Sequence, residues 1–159
     1  MKRIFALSAL ALAVAVAAGV AVAARSGPGH GAKRHGGVIH VIEHATTDAV
    51  TNRGEGVGAD RVGDLLTFTN DVFDESDSSR VGHDQGFCIR TIVGQAWECW
   101  WTTFLAQGQI TVEGPFYDTQ NSKLAITGGT GTYAHARGWM ELNSRAGGTE
   151  FDFIFHLSH

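Results

Sequence analysis

The segment His40-Val-Ile-Glu-His44 sets two imidazoles and a carboxylate in the H-x-x-E-H order of one zinc protease class. That chemistry needs a helix, which turns i and i+4 onto one face and lets both rings reach one ion. The surrounding Val, Ile and Thr residues are instead those of a strand. On a strand the two histidines stand about 13 Å apart, at ~3.3 Å per residue, too far to share an ion. They read as half-buried or rim histidines, and no metal is expected. Thr127-Gly-Gly-Thr-Gly131 looks like a phosphate loop but lacks the Gly-Lys-Ser/Thr ending, and strand-like residues follow it. It reads as a tight hairpin turn. Asp74-Glu-Ser-Asp77 lacks the ligand spacing and glycine of a calcium loop and reads as a solvated acidic loop.

Asn70 is more informative. In an alternating stretch it shares a face with Leu66, Phe68 and Val72. If that face is interior, the amide either finds partners in the surrounding backbone or offers a hydrogen bond to a ligand. Trp97 and Trp101 share one face with Cys99, while Trp100 faces the other way. Core packing and a ligand platform are both open for these rings, and Trp100 calls for a covering contact.

These residues must be positioned by strands. After residue 37 no segment carries apolar residues at helical spacing over three turns; alternation and β-branched runs replace it. Strands are predicted at 38–47, 64–73, 81–93, 96–105, 109–114, 122–127, 132–142 and 149–158, with short glycine-containing connections between most of them. Short connections make neighbours antiparallel. Eight such strands in about 120 residues suit a closed barrel, which exposes no edge; a two-sheet sandwich is the alternative. A two-residue loop at Val93-Gly94 sets Arg90 opposite Trp97 and Cys88 opposite Cys99. A disulfide is expected there, with a free thiol at Cys88 as its rival.

The chain has 159 residues with net charge −4. A basic nucleic-acid binder is therefore not expected. Lys2 and Arg3 precede an uncharged run from Ile4 to Ala24 that ends in Ala21-Val22-Ala23. This is the pattern of a secretory signal peptide over residues 1–24; an uncleaved membrane anchor is the alternative. Without Lys2 and Arg3 the remainder has 10 basic and 16 acidic side chains, a net charge of −6. Residues 25–37, RSGPGHGAKRHGG, read as a flexible linker, with His30 and His35 solvated. The domain proper is 38–159, and the expected location is extracellular with no membrane contact after cleavage.

Several stretches taken in order resemble the allene oxide cyclase and dirigent superfamily. They are Gly63-Asp-Leu-Leu-Thr-Phe-Thr-Asn70, Gly82 with Gly86-Phe-Cys88, Gln109-Ile-Thr-Val-Glu-Gly-Pro-Phe116, Leu124-Ala-Ile-Thr-Gly-Gly-Thr-Gly-Thr-Tyr133 and the closing Phe151-Asp-Phe-Ile-Phe-His-Leu157. The resemblance implies an eight-stranded antiparallel up-and-down β-barrel, often a homotrimer, with an apolar cavity and no cofactor. Plant allene oxide cyclases close an epoxide of a C18 fatty acid into a cyclopentenone; dirigent proteins steer the coupling of phenoxy radicals. Asn70 matches the cyclases' cavity asparagine, and Cys88 their cavity cysteine. An ungapped alignment sets His40 and Ile42 where the cyclases carry a first-strand glutamate and asparagine, with Glu43 close by. Their cavity proline falls near Ala49, and their tyrosine after Gly-Pro is Phe116 here.

Two functional readings follow. One is a cofactor-free cyclase, isomerase or dirigent-like guide acting on an apolar lipid-, polyketide- or phenolic-like molecule, with Phe68, Trp97, Trp101 and Phe116 shaping the pocket and Asn70 donating a hydrogen bond. The other is a non-catalytic hydrophobic-ligand carrier or a structural barrel.

Overall fold

The computed structural model describes residues 36–52 and 60–158. The expected signal peptide and residues 25–35 of the expected linker lie outside the described residues. The rest forms β1 (Val38–His44), β2 (Ala49–Thr51), β3 (Leu65–Phe68), β4 (Asp71–Asp74), β5 (Arg80–Ile92), β6 (Ala96–Leu105), β7 (Gly108–Tyr117), β8 (Ser122–Gly129), β9 (Arg137–Arg145) and β10 (Glu150–Ser158). A 3₁₀ turn, Gly131–Tyr133, precedes β9. Each neighbouring pair is antiparallel. β10 pairs with β1, β1 with β4, and β5 with β6, so the sheet closes on itself. The barrel has eight staves because β1 and β2 act as one and β3 and β4 as another.

The strand expected over 64–73 therefore divides, and the register shows how. Leu65 opposes Ile89 and Val72 opposes Gly82, a single register along β5. What changes is the other neighbour: β3 takes β2, and β4 takes β1. The turn between β1 and β2 sits over this junction, which is why β1 stops at His44 rather than Thr47. The strand expected from Thr132 begins only at Arg137. The 3₁₀ turn comes first, with Gly131 at φ +60° and His135 at φ +73°, backbone that no strand residue adopts.

At the β5–β6 hairpin the expected register holds for Arg90–Trp97, Ile89–Glu98 and Cys88–Cys99. The loop is one residue longer than expected. Ile92 opposes Ala96, Thr91 is bulged, and Gly94 takes φ +65° in a three-residue turn. Cys88 and Cys99 form a disulfide with their Cα atoms 4.0 Å apart, the narrow kind of antiparallel pair rather than the wider hydrogen-bonded kind. No described cysteine is free.

Alternation assigns the inner face. Val41 and Glu43 of β1 point inward, with Trp97, Cys99 and Trp101 of β6 and Phe151, Phe153 and Phe155 of β10. One half of the barrel is packed solid by Ile110, Val112, Leu124, Met140 and Phe155, each at most 1% exposed. Burying each such side chain contributes roughly 1.5–3 kcal/mol. Gly86 keeps β5 close to β6: a methyl group there would run into Trp101 Cβ and the Trp100 carbonyl. Trp100 faces outward, stacked on the exposed Phe87 with ring centroids 5.5 Å apart.

Candidate active site

The site begins with the turn after β1. Asn70 Oδ1 accepts from the N–H groups of Thr46 (3.0 Å) and Thr47 (2.9 Å), so the amide acts as an anchor for residues 45–48. Its Nδ2 donates to Glu43 Oε1 and to Asp48 Oδ1, both at 2.8 Å. Both amide hydrogens are thus engaged within the protein. Of the two roles open to Asn70 from sequence, this geometry is that of an amide satisfied by its neighbours. In this arrangement it has no hydrogen left to donate to a ligand, and it acts as the organiser of two carboxylates.

Glu43 is buried, and its inward direction follows from strand parity. Ile39, Val41 and Glu43 face in; His40, Ile42 and His44 face out. His40 lies 2.8 Å from Asp152 Oδ1 and His44 2.8 Å from Asp77 Oδ1, both outside the barrel. The ungapped placement of His40 and Ile42 at the cyclase positions is displaced by an odd number of residues from Glu43, and an odd shift along a strand reverses the face. A first-strand glutamate is therefore present in the interior.

Asp84 of β5 stands behind Glu43 and is fully buried. Its Oδ1 accepts from the Asn70 N–H at 3.2 Å. Its Oδ2 has no donor within reach, and two ionised carboxylates cannot bond to each other. A proton held between Asp84 and Glu43 supplies the missing hydrogen bond. Burial is the main reason both groups hold protons: desolvation raises Glu43 to about 7, with the charge of Asp48 adding to the rise. Desolvation and then the charge of Glu43 raise Asp84 to about 9. The two titrate as a pair that retains a proton at neutral pH.

Glu43, with Asp84 behind it, borders an interior cavity of about 40 Å³, enough for a few water molecules. Glu43 and Asp48 are the charged members of its lining; Leu66, Leu142, the disulfide and five aromatic rings form the rest. Phe68, Trp101 and Phe116 are among those rings, with Phe151 and Phe153. Trp97 is buried on the same face but does not line the cavity. The Arg90 guanidinium covers its ring at 3.8 Å, and its Nε1 donates to Asp118 Oδ1 at 3.1 Å. The Trp101 indole N–H is buried without a partner. Phe116 and Phe151, packed edge to face at 5.8 Å, also line an outer recess of about 460 Å³ together with Leu142. These three residues are common to the linings of the cavity and the recess.

One trio of described residues on the outer face has metal-ligand geometry: His44, Asp77 and Glu150 bring their ligand atoms within 4.8 Å of one another. It lies on the opposite side of β1 from the cavity.

A model of the allene oxide cyclase family matches residues 38–158. The chain belongs to the allene oxide cyclase family. Among solved structures it is similar to a pyocyanin demethylase, at 26% identity and TM-score 0.66 over 76% of this chain and 99% of that one. It shares its fold with the pterocarpan synthase dirigent protein PsPTS1, at 18% identity and TM-score 0.61 over 79% and 98% of the two chains. The exo-specific intermolecular Diels-Alderase AbnU also shares it, at 15% identity and TM-score 0.61 over 77% and 98%.

The sequence pointed to Asn70, Phe68, Trp101 and Phe116, and the structure places all four around Glu43. Sequence reasoning missed Asp84 and Asp48, and left Glu43 as a neighbour of the expected position. Asp84 had a readable signal: it lies four residues before Cys88 on the same strand, so an inward Cys88 makes Asp84 inward too.

Proposed function

We propose that this barrel binds a small, largely apolar ring molecule and moves a proton on it, as an isomerase or cyclase does. The observation that carries this reading is the buried Glu43–Asp84 pair, with Glu43 lining an aromatic cavity. A carboxyl group titrating near the working pH is suited to both giving and taking a proton. Isomerisation and ring closure balance without a co-reactant, because a proton taken from one position returns at another and the product keeps the substrate's formula. The aromatic walls hold the substrate in one conformation, and the Trp101 N–H donates to an oxygen on it. Asn70 and Asp48 position Glu43.

The kinship with barrels named as a demethylase, a dirigent protein and a Diels-Alderase supports chemistry on small organic molecules. Export through the N-terminal signal is part of the proposal, supported by the Cys88–Cys99 bridge, which persists in oxidising compartments. So is a homotrimer, which sedimentation would test. A carrier without catalysis is the second reading, favoured by the solid packing of half the barrel.

The test is a conversion screen. A mixture of small aromatic and polyene metabolites is incubated with the wild type, with Glu43→Gln and with Asp84→Asn, then resolved by mass and retention. The proposal expects a compound converted by the wild type to an isomer, with at least a hundredfold loss in Glu43→Gln. Compounds that are retained but never converted would establish the carrier instead.

A further inference from the structure

Resting on that reading of the cavity as a binding site, we propose that it selects a flat aromatic ring bearing positive charge and rejects carboxylate ligands such as fatty acids. Three features converge on this. The first is the wall. Phe68 and Phe153 pack on Trp101, with centroids 6.0 and 5.4 Å away, and Phe116 packs on Phe151 at the mouth. Ring faces attract cations, and they do so most strongly where water is excluded.

The second feature is the sign of the charge. Glu43 and Asp48 are the ionisable groups lining the cavity, and Asp84 stands directly behind them. Among the described residues, no Lys, Arg or His lines either the cavity or the outer recess. Arg90, on the same strand as Asp84, is engaged by Asp60 at 2.7 Å and Asp118 at 2.8 Å. A ligand carboxylate entering here would meet like charge with no cation to neutralise it. A cation would meet carboxyl groups whose missing partner it supplies.

The third feature is shape. A fatty acid that kept its carboxylate in solvent would need to run its tail into the half filled by Ile110, Val112, Leu124, Met140 and Phe155. A flat ring needs only the Phe116–Phe151 pair to part, joining the cavity to the recess outside.

The inference is tested with three probes of matched bicyclic area: N-methylquinolinium, naphthalene and 2-naphthoate. Binding to the full-length protein is measured at pH 8 by quenching of tryptophan fluorescence and by calorimetry. The expected order is cation, then neutral ring, then anion, with at least a tenfold gap between the ends. Glu43→Gln should shrink that gap to under threefold. Glu113→Gln removes the same charge from the exposed outer face of β7 and should leave the gap intact. Naphthoate binding as tightly as the quinolinium would overturn the charge preference, while the conversion screen would still stand on its own result. A gap that survives Glu43→Gln would overturn the assignment to this cavity. Failure of all three probes to bind would overturn both the inference and the cavity's role.

Discussion

Two buried charge clusters sit on the same face of one strand, β5, and they are built on opposite plans. At one end, Arg90 is buried with every charge answered. Its Nε bonds Asp60 at 2.7 Å, its Nη1 bonds both oxygens of Asp118 at 2.8 Å, and its plane lies over Trp97. Asp60 and Asp118 in turn accept from the Gly94 N–H and the Trp97 indole. Six residues away, Asp84 faces Glu43 with no cation between them. The first cluster is complete and closed. The second is left short of a positive partner and borders the cavity. A folded chain keeps a completed ion network to hold its shape; it keeps an uncompensated carboxyl pair where a ligand or a moving proton completes it.

Arg90→Met leaves Asp60 and Asp118 without their cation and should lower stability by about 3–5 kcal/mol. Urea denaturation of the variant at neutral pH measures it. A loss under about 1 kcal/mol would mean that the Arg90 cluster is solvated and that the contrast is false.

The disulfide lies between the two clusters, at Cys88 on the same inner face of β5. Replacing both cysteines by alanine should cost about 2–4 kcal/mol. The same denaturation should give an equal loss on reducing the wild type. Because the sulfurs line the cavity, probe affinity should change as well, whereas Arg90→Met in a still-folded population should leave the affinity close to wild type.

Glu43 rises from 4.5 to about 7 and Asp84 from 3.8 to about 9. Both values are above those of the unfolded chain, so the folded state holds protons that the unfolded state has released. Their contribution is complete below about pH 4 and is lost as pH rises through the two folded values. The groups acting on the pair are Asp48 from the β1–β2 turn and Asn70 from the β3–β4 junction, which face it, and His44 on the outer side of β1; the first raises Glu43, and the other two lower it. Asp74 is shifted downward by its serine contacts, so its effect falls below pH 4, outside this window. Stability should therefore decline between pH 5 and 9 with a slope on the order of 1 kcal/mol per pH unit. Asp84→Asn should flatten it. A slope unchanged in Asp84→Asn would show that the pair does not share a proton.

How much of this was readable in advance depends on which interaction carried the information. The barrel was legible because alternation, turn glycines and the β5–β6 register are local. Arg90 opposite Trp97 and Cys88 opposite Cys99 followed from one hairpin. Asn70 was legible as an amide on an apolar face, but not its partners, since Thr46, Thr47, Glu43 and Asp48 reach it from another stave. Glu43 was obscured because β1 carries apolar residues on both faces: Val41 fills the core, while Ile42 is equally buried on the outer side. Parity alone could not choose between them. The division of 64–73 was hidden for a related reason, since a strand that changes one neighbour while keeping the other leaves no mark in its own alternation.

The smallest stability effect is the most discriminating. Glu43→Gln keeps the size and planarity of the side chain. Its amide oxygen can still accept from Asn70 Nδ2, and its new N–H donates to Asp84 without a shared proton. Stability at pH 7 should therefore change by less than about 1 kcal/mol, in contrast to Arg90→Met. The same substitution removes the cavity carboxyl that is paired with Asp84, so conversion and cation preference should both collapse. Stability kept while chemistry is lost would separate the functional cluster from the structural one. A loss of more than about 2 kcal/mol in Glu43→Gln would instead make Glu43 a framework residue like Arg90, and the two ends of β5 would then differ in sign but not in purpose.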